Sequence, residues 1–160
     1  MTFQIHGLPA DTLQSLFDLS EQELTKQGAR KVKADKPNAF PCRIGLRDAD
    51  VGEELILANY AHLKGSTPYA ATHAIYVAKD AKEAKLSPGQ VPDVMARRLL
   101  SVRGLSQEKM ILDADVIEGT ELAATLDRLF ANQDIQSVDI HNAARGCFAG
   151  TALRADDPSS

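Results

Sequence analysis

Apolar and polar residues alternate over 3–8, which predicts a short opening strand. Pro9 then suits the first turn of a helix whose Leu13, Leu16 and Phe17 recur on one stripe. Ser20 and Glu23 form a capping-box pattern for a second short helix, which Gly28 can end. From Ala29 the period shortens to two. Val32 among its lysines, the alternating run 42–46 and the apolar centre of 53–60 predict strands. The segment 64–68 interrupts that run and 73–78 resumes it. Pro92 starts a helix over 93–98, and β-like runs follow at 99–105 and 110–117. The second of these carries Asp113 and Asp115 on one face and Leu112, Ala114 and Val116 on the other. Thr120 is the expected N-cap of the clearest helix, where Leu122, Leu126, Leu129 and Phe130 share one side. Strands at 135–141 and 147–153 close the pattern, before a polar tail at 156–160 that is expected to fray.

Strands following strands, with helices not regularly between them, predict an α+β fold. We expect a single domain over 1–155, built on a mainly antiparallel sheet with three to four helices. Composition agrees with this. In a chain of 160 residues, 44% are hydrophobic, and 10 Gly and 7 Pro are too few for a disordered or collagen-like chain. No apolar stretch approaches the roughly 18 residues of a spanning helix, so no membrane partner is expected. The net charge of -4, from 18 basic and 22 acidic side chains, gives no basic platform. The cluster Arg30, Lys31, Lys33 and Lys36 reads as a solvated strand face. With aromatics at 5% and no Trp, nucleic acid is not an expected partner.

Cys42 and Cys147 lack paired metal-ligand spacing, so neither structural zinc nor another cofactor is expected. The first residues show no basic segment followed by an apolar run. Reduced thiols in the cytoplasm are therefore the expectation.

Polar and reactive residue types concentrate in the segment His141-Asn142-Ala143-Ala144-Arg145-Gly146-Cys147-Phe148, between two β-like runs. A three-residue hairpin loop of Ala144, Arg145 and Gly146 would place His141, Ala143, Cys147 and Ala149 on one face. A loop of even length would send His141 and Cys147 to opposite faces. Three chemistries fit this segment. In one, Cys147 is a nucleophile whose thiol is activated by His141, with Asn142 or Arg145 steadying an oxyanion. In another, Arg43, Asn142 and Arg145, with His141 and Cys42 nearby, bind a carboxylate or phosphate. A third is an oxygen-rich metal site from Asp113, Asp115, Asp139 and His141. Plainer readings stand beside each. Cys147 and, more so, Cys42 read first as small buried hydrophobes, and Arg145 as an exposed loop tip. Asp113 and Asp115 fit a wet strand face paired with Arg97, Arg98 or Arg103. His6, His62 and His73 have no neighbours in sequence that single them out.

Several segments carry a resemblance: Pro41-Cys42-Arg43, Gly52 to Leu55 with Tyr60, Pro68-Tyr69, and Asp113 to Val116 with Glu118-Gly119. The most specific is His141-Asn142-Ala143-x-Arg145-Gly146-Cys147-Phe148. Together they resemble the bacterial family catalogued as domain of unknown function 1203, over about residues 3–154. The resemblance implies hallmark positions at Pro41, Cys42, Arg43, His141, Asn142, Arg145, Gly146 and Cys147, but no activity, substrate or cofactor. The leading expectation is a binder of a small anionic molecule near the His141–Cys147 hairpin. The alternatives are a thiol-dependent enzyme using Cys147 and His141, and a non-enzymatic homo-oligomeric assembly module.

Overall fold

The computed structural model describes residues 2–155; the tail expected to fray at 156–160 lies outside them. Ten strands and three helices follow in chain order: β1 (Phe3–His6), α1 (Glu21–Lys26), β2 (Arg30–Lys33), β3 (Pro41–Cys42), β4 (Arg47–Asp48), β5 (Glu54–Leu63), β6 (Ala71–Ala78), α2 (Asp93–Ala96), β7 (Leu99–Leu105), β8 (Ile111–Glu118), α3 (Leu122–Phe130), β9 (Ser137–Asn142) and β10 (Phe148–Arg154). They form two five-stranded sheets rather than one, ordered β1-β10-β9-β7-β8 and β2-β5-β6-β3-β4. Every pairing is antiparallel except β3 with β6. Antiparallel sheets with few helices are compatible with the α+β expectation.

Alternation decides which face of the first sheet is dry. Val138 and Ile140 of β9, with Leu100 and Val102 of β7, pack under Leu122, Leu126, Leu129 and Phe130 of α3. Each such side chain contributes about 1.5–3 kcal/mol when removed from water. The second sheet has its own core, where Leu55, Ile56, Ile75 and Val77 meet Leu24 of α1 and the half-turn residue Phe17. The capping box of Ser20 and Glu23 is formed, and Gly28 follows α1 at φ 71.

Three local expectations are corrected. The stretch after Pro9 is a turn leading into a 3-10 segment, Gln14–Asp18, because Leu13 takes a left-handed φ of 58 that no α-helix accommodates. The run 42–46 leaves the strand after Cys42 and turns through Leu46, at φ 51. Thr120 does not cap α3; it lies in a 3-10 turn, Gly119–Glu121, that feeds the helix. Gly119 is required there by close approach, since a Cβ would collide with the Met95 carbonyl oxygen and lie 2.7 Å from that of Ala96.

The sheets are stitched together around Arg43. The Leu8 amide donates to the Arg43 carbonyl at 2.9 Å. Across the same boundary, Asp48 of β4 receives Arg97 and Arg98 from the end of α2, each at 2.7 Å.

Candidate functional site

The β9–β10 hairpin differs from the three-residue loop expected, and the difference reorganises the site. The Asn142 amide donates to the Cys147 carbonyl at 2.9 Å, and the Gly146 amide donates to the Asn142 carbonyl at 2.8 Å. The loop therefore spans the four residues 143–146, with Gly146 at φ +80, a conformation that favours glycine. His141 now faces Phe148 across the ladder, and Ala149 is an extra residue in a bulge. An even loop puts His141 and Cys147 on opposite faces of the hairpin. Two separate environments result, one on each side.

On the first side lies a cleft of about 380 Å³, walled by Pro41, Tyr76, Leu99, Asn142 and Cys147 among others. Its charged lining residues are Lys36, Arg43, Arg98 and Arg145, with no carboxylate among them. Arg43 is only 3% exposed. Its guanidinium donates to the Phe148 carbonyl at 2.7 Å and to the Pro41 carbonyl at 2.6 Å, so among the described residues it is held by neutral oxygens alone. Burial pulls its pKa down to about 10; the Cys147 thiol opposes that fall and the neighbouring Arg98 charge adds to it. Asp48 neutralises Arg98, taking both guanidinium nitrogens at 2.7 and 3.1 Å. Lys36 and Arg145 have no ion-pair partner among the described residues.

The structure thus brings Arg43, Asn142, Arg145 and Cys147 to one cleft and sends two candidates elsewhere. Cys42 is buried in the core of the second sheet, where its Sγ accepts from the Ala78 amide at 3.3 Å. His141 is fully buried behind the hairpin. The oxygen-rich group also separates. Asp113 and Asp115 sit on the edge strand β8, exposed and paired with Arg128 rather than with Arg97, Arg98 or Arg103, while Asp139 lies two strands away on β9.

On the second side, His141 meets two histidines that nothing in the sequence had singled out. His62 and His73 belong to the β5–β6 hairpin of the other sheet, and His62 is the extra residue of a bulge between Ala61 and Leu63. The facing nitrogens His62 Nε2 and His73 Nδ1 are 2.8 Å apart. One ring nitrogen from each of the three histidines lies within 4.8 Å of the others. The Phe148 ring stacks on His62 at a centroid distance of 5.0 Å. His141 Nδ1 is 2.9 Å from the Gly146 carbonyl, and His62 Nδ1 is 3.7 Å from the Asp139 carboxylate. Burial holds the pKa of His141 down at about 4, against the support of the Gly146 carbonyl, so its ring is neutral at physiological pH. Burial, then His62 and Arg103, lower that of His73.

A family model described as "Protein of unknown function (DUF1203)" matches residues 39–154. The chain belongs to this family. The match takes in every strand from β3 onward, and therefore both sides of the β9–β10 hairpin, whereas β1, α1 and β2 precede it. No curated protein and no solved structure matches this DUF1203 chain. Among its described residues, no helix is long and apolar enough to cross a membrane.

Proposed function

We propose that this DUF1203 protein binds a small organic anion, a carboxylate or phosphate, in the cleft beside the β9–β10 hairpin. The observation that carries the reading is Arg43: a guanidinium 3% exposed, bonded only to carbonyls, on the wall of a cleft without a carboxylate. A buried cation lacking a counter-charge is costly unless it is paired. A ligand anion completes that pairing. Arg145 and Lys36 then close on it from the loop side, and Asn142 offers an amide donor. Leu99, Pro41 and Tyr76 supply an apolar wall for the rest of the molecule, and the volume suits a metabolite-sized ligand. Both cysteines are free, as suits a bacterial protein of the reducing cytoplasm.

Cys147 gives the second reading. Its thiol shares the cleft with Arg43, so a ligand carrying an electrophilic centre would sit against a nucleophile. In that version the charge beside the thiol comes from Arg43, since His141 faces away. Calorimetric titration with inorganic phosphate and with citrate tests the binding itself. We expect saturable binding of one of them that weakens at least tenfold in Arg145→Ala and is unchanged in Lys31→Ala, on the basic strand β2. Equal weakening in both variants would mean diffuse surface charge rather than a site.

A further inference from the structure

The histidine cluster behind the hairpin has no part in the anion cleft, and its hydrogen bonding is incomplete. Among the described residues, His141 Nε2 and His62 Nδ1 are buried without a hydrogen-bond partner. A buried polar atom in that state calls for a water, an ion or a compensating role.

The tautomers can be worked out from the neighbours. The Gly146 carbonyl can only accept, so His141 carries its proton on Nδ1 and directs the Nε2 lone pair inward. The Asp139 carboxylate, 3.7 Å from His62 Nδ1, is beyond hydrogen-bond distance, but its charge favours the proton on that nitrogen and leaves Nε2 as a lone pair facing His73. A carboxylate or carbonyl behind an imidazole, with the opposite nitrogen free, is the arrangement that orients metal-binding histidines.

We propose that His62, His73 and His141 form a three-histidine site for a divalent transition-metal ion of the zinc type, with the remaining position open to solvent on the His73 side.

Distances support the assignment. Nitrogens bound at about 2.0–2.1 Å around a tetrahedral ion are separated by roughly 3.3 Å. That value lies between the 2.8 Å of the closest pair and the 4.8 Å that bounds the set. Small rotations of three side chains would close the site. Without metal, His73 Nδ1–H donates to His62 Nε2; with metal, His73 moves its proton to Nε2 and both facing nitrogens become ligands. Imidazole donors select later first-row ions and not calcium or magnesium, which want oxygen. Of the charges nearby, Asp139 favours a cation and Arg103 opposes it, so the nitrogens themselves must supply the affinity. The bulge at His62 turns that ring toward His73, and β9 brings His141 to the pair from the other sheet. The His141 ring is fully buried and the His62 side chain is 1% exposed, whereas His73 is half-buried, which places the open position on the His73 side.

The test uses the full chain, stripped with chelator and titrated with Zn²⁺ and separately with Co²⁺. We expect one ion per chain and an intense Co²⁺ absorption typical of four- or five-coordination. Zn²⁺ binding should weaken at least about 100-fold in both His73→Ala and His73→Gln, and about 10–100-fold in Asp139→Asn, which would act as a positioning residue. His6→Ala, on the exposed end of β1, should leave affinity and spectrum unchanged. Circular dichroism and thermal melting establish that each variant is folded. No binding by the wild type, or wild-type affinity in both folded His73 variants, would overturn the proposal.

Discussion

Replacing Arg43 by methionine separates a structural arginine from one that is waiting for a ligand. The side chain keeps much of its length but loses its charge and its two hydrogen bonds, buried to Phe148 and part-buried to Pro41. Bonds from a charged donor contribute roughly 1.5–3 kcal/mol each, so their loss costs about 4 kcal/mol. Against this stands the relief of burying an uncompensated cation. A pKa held down at about 10 corresponds to an unfavourable charge burial of about 3 kcal/mol. The two nearly cancel, and Arg43→Met should lower unfolding stability by only about 1–2 kcal/mol in urea titrations. Added phosphate should then raise the melting temperature of the wild type but not of the variant, because binding to the native state alone produces the shift. A stability loss well above 4 kcal/mol would sink the argument. It would show that the guanidinium is fully satisfied by the two carbonyls and has no need of an anion.

Two further outcomes follow from the same geometry. Iodoacetamide should label Cys147 in the native protein and spare Cys42, which is 1% exposed, and saturating phosphate should slow the Cys147 reaction; mass spectrometry of the labelled chain reads both. Asp48→Asn should cost about 3 kcal/mol, because it strips the buried partner from Arg98 and Arg97, whereas Arg128→Ala should cost below 1 kcal/mol, its bridges to Asp113 and Asp115 being about half exposed; matched denaturant curves would decide, and equal losses would refute the distinction.

Much of the fold was legible from local pattern. The strand at 99–105 and the helix stripe over 122–130 coincide with β7 and α3, since period and end signals agree there. What failed were places where one residue has left-handed backbone without being glycine. Leu13 and Leu46 turned a predicted helix and a predicted strand into turns, and apolar periodicity carries no trace of that. At the cleft, Asn142, Arg145 and Cys147 could be grouped from sequence because they lie within six residues of one another, and Arg43 only through the motif it shares with Cys42. His62 and His73 were not. A strict hairpin register over β5 and β6 places Tyr60, not His62, opposite His73. Only the bulge turns His62 toward its partner, and a bulge has no reliable signature in a single sequence.

The loop length of the β9–β10 hairpin is the geometric fact on which both sites depend. With four residues, consecutive positions serve opposite sides: Asn142 and Cys147 face the cleft while His141 and Phe148 face the histidines. The backbone between them is shared. The Gly146 carbonyl sets the His141 tautomer, the Cys147 side chain lines the cleft, and the Phe148 carbonyl receives Arg43 while its ring stacks on His62. Three successive residues therefore divide between the two environments, with Phe148 contacting both, and the concentration of unusual residue types over 141–148 needs no single active site to explain it. One strand turn borders the basic cleft and the histidine cluster back to back. A ligand that draws Arg43 toward the cleft would pull on the Phe148 carbonyl, and through it on the ring that packs against His62.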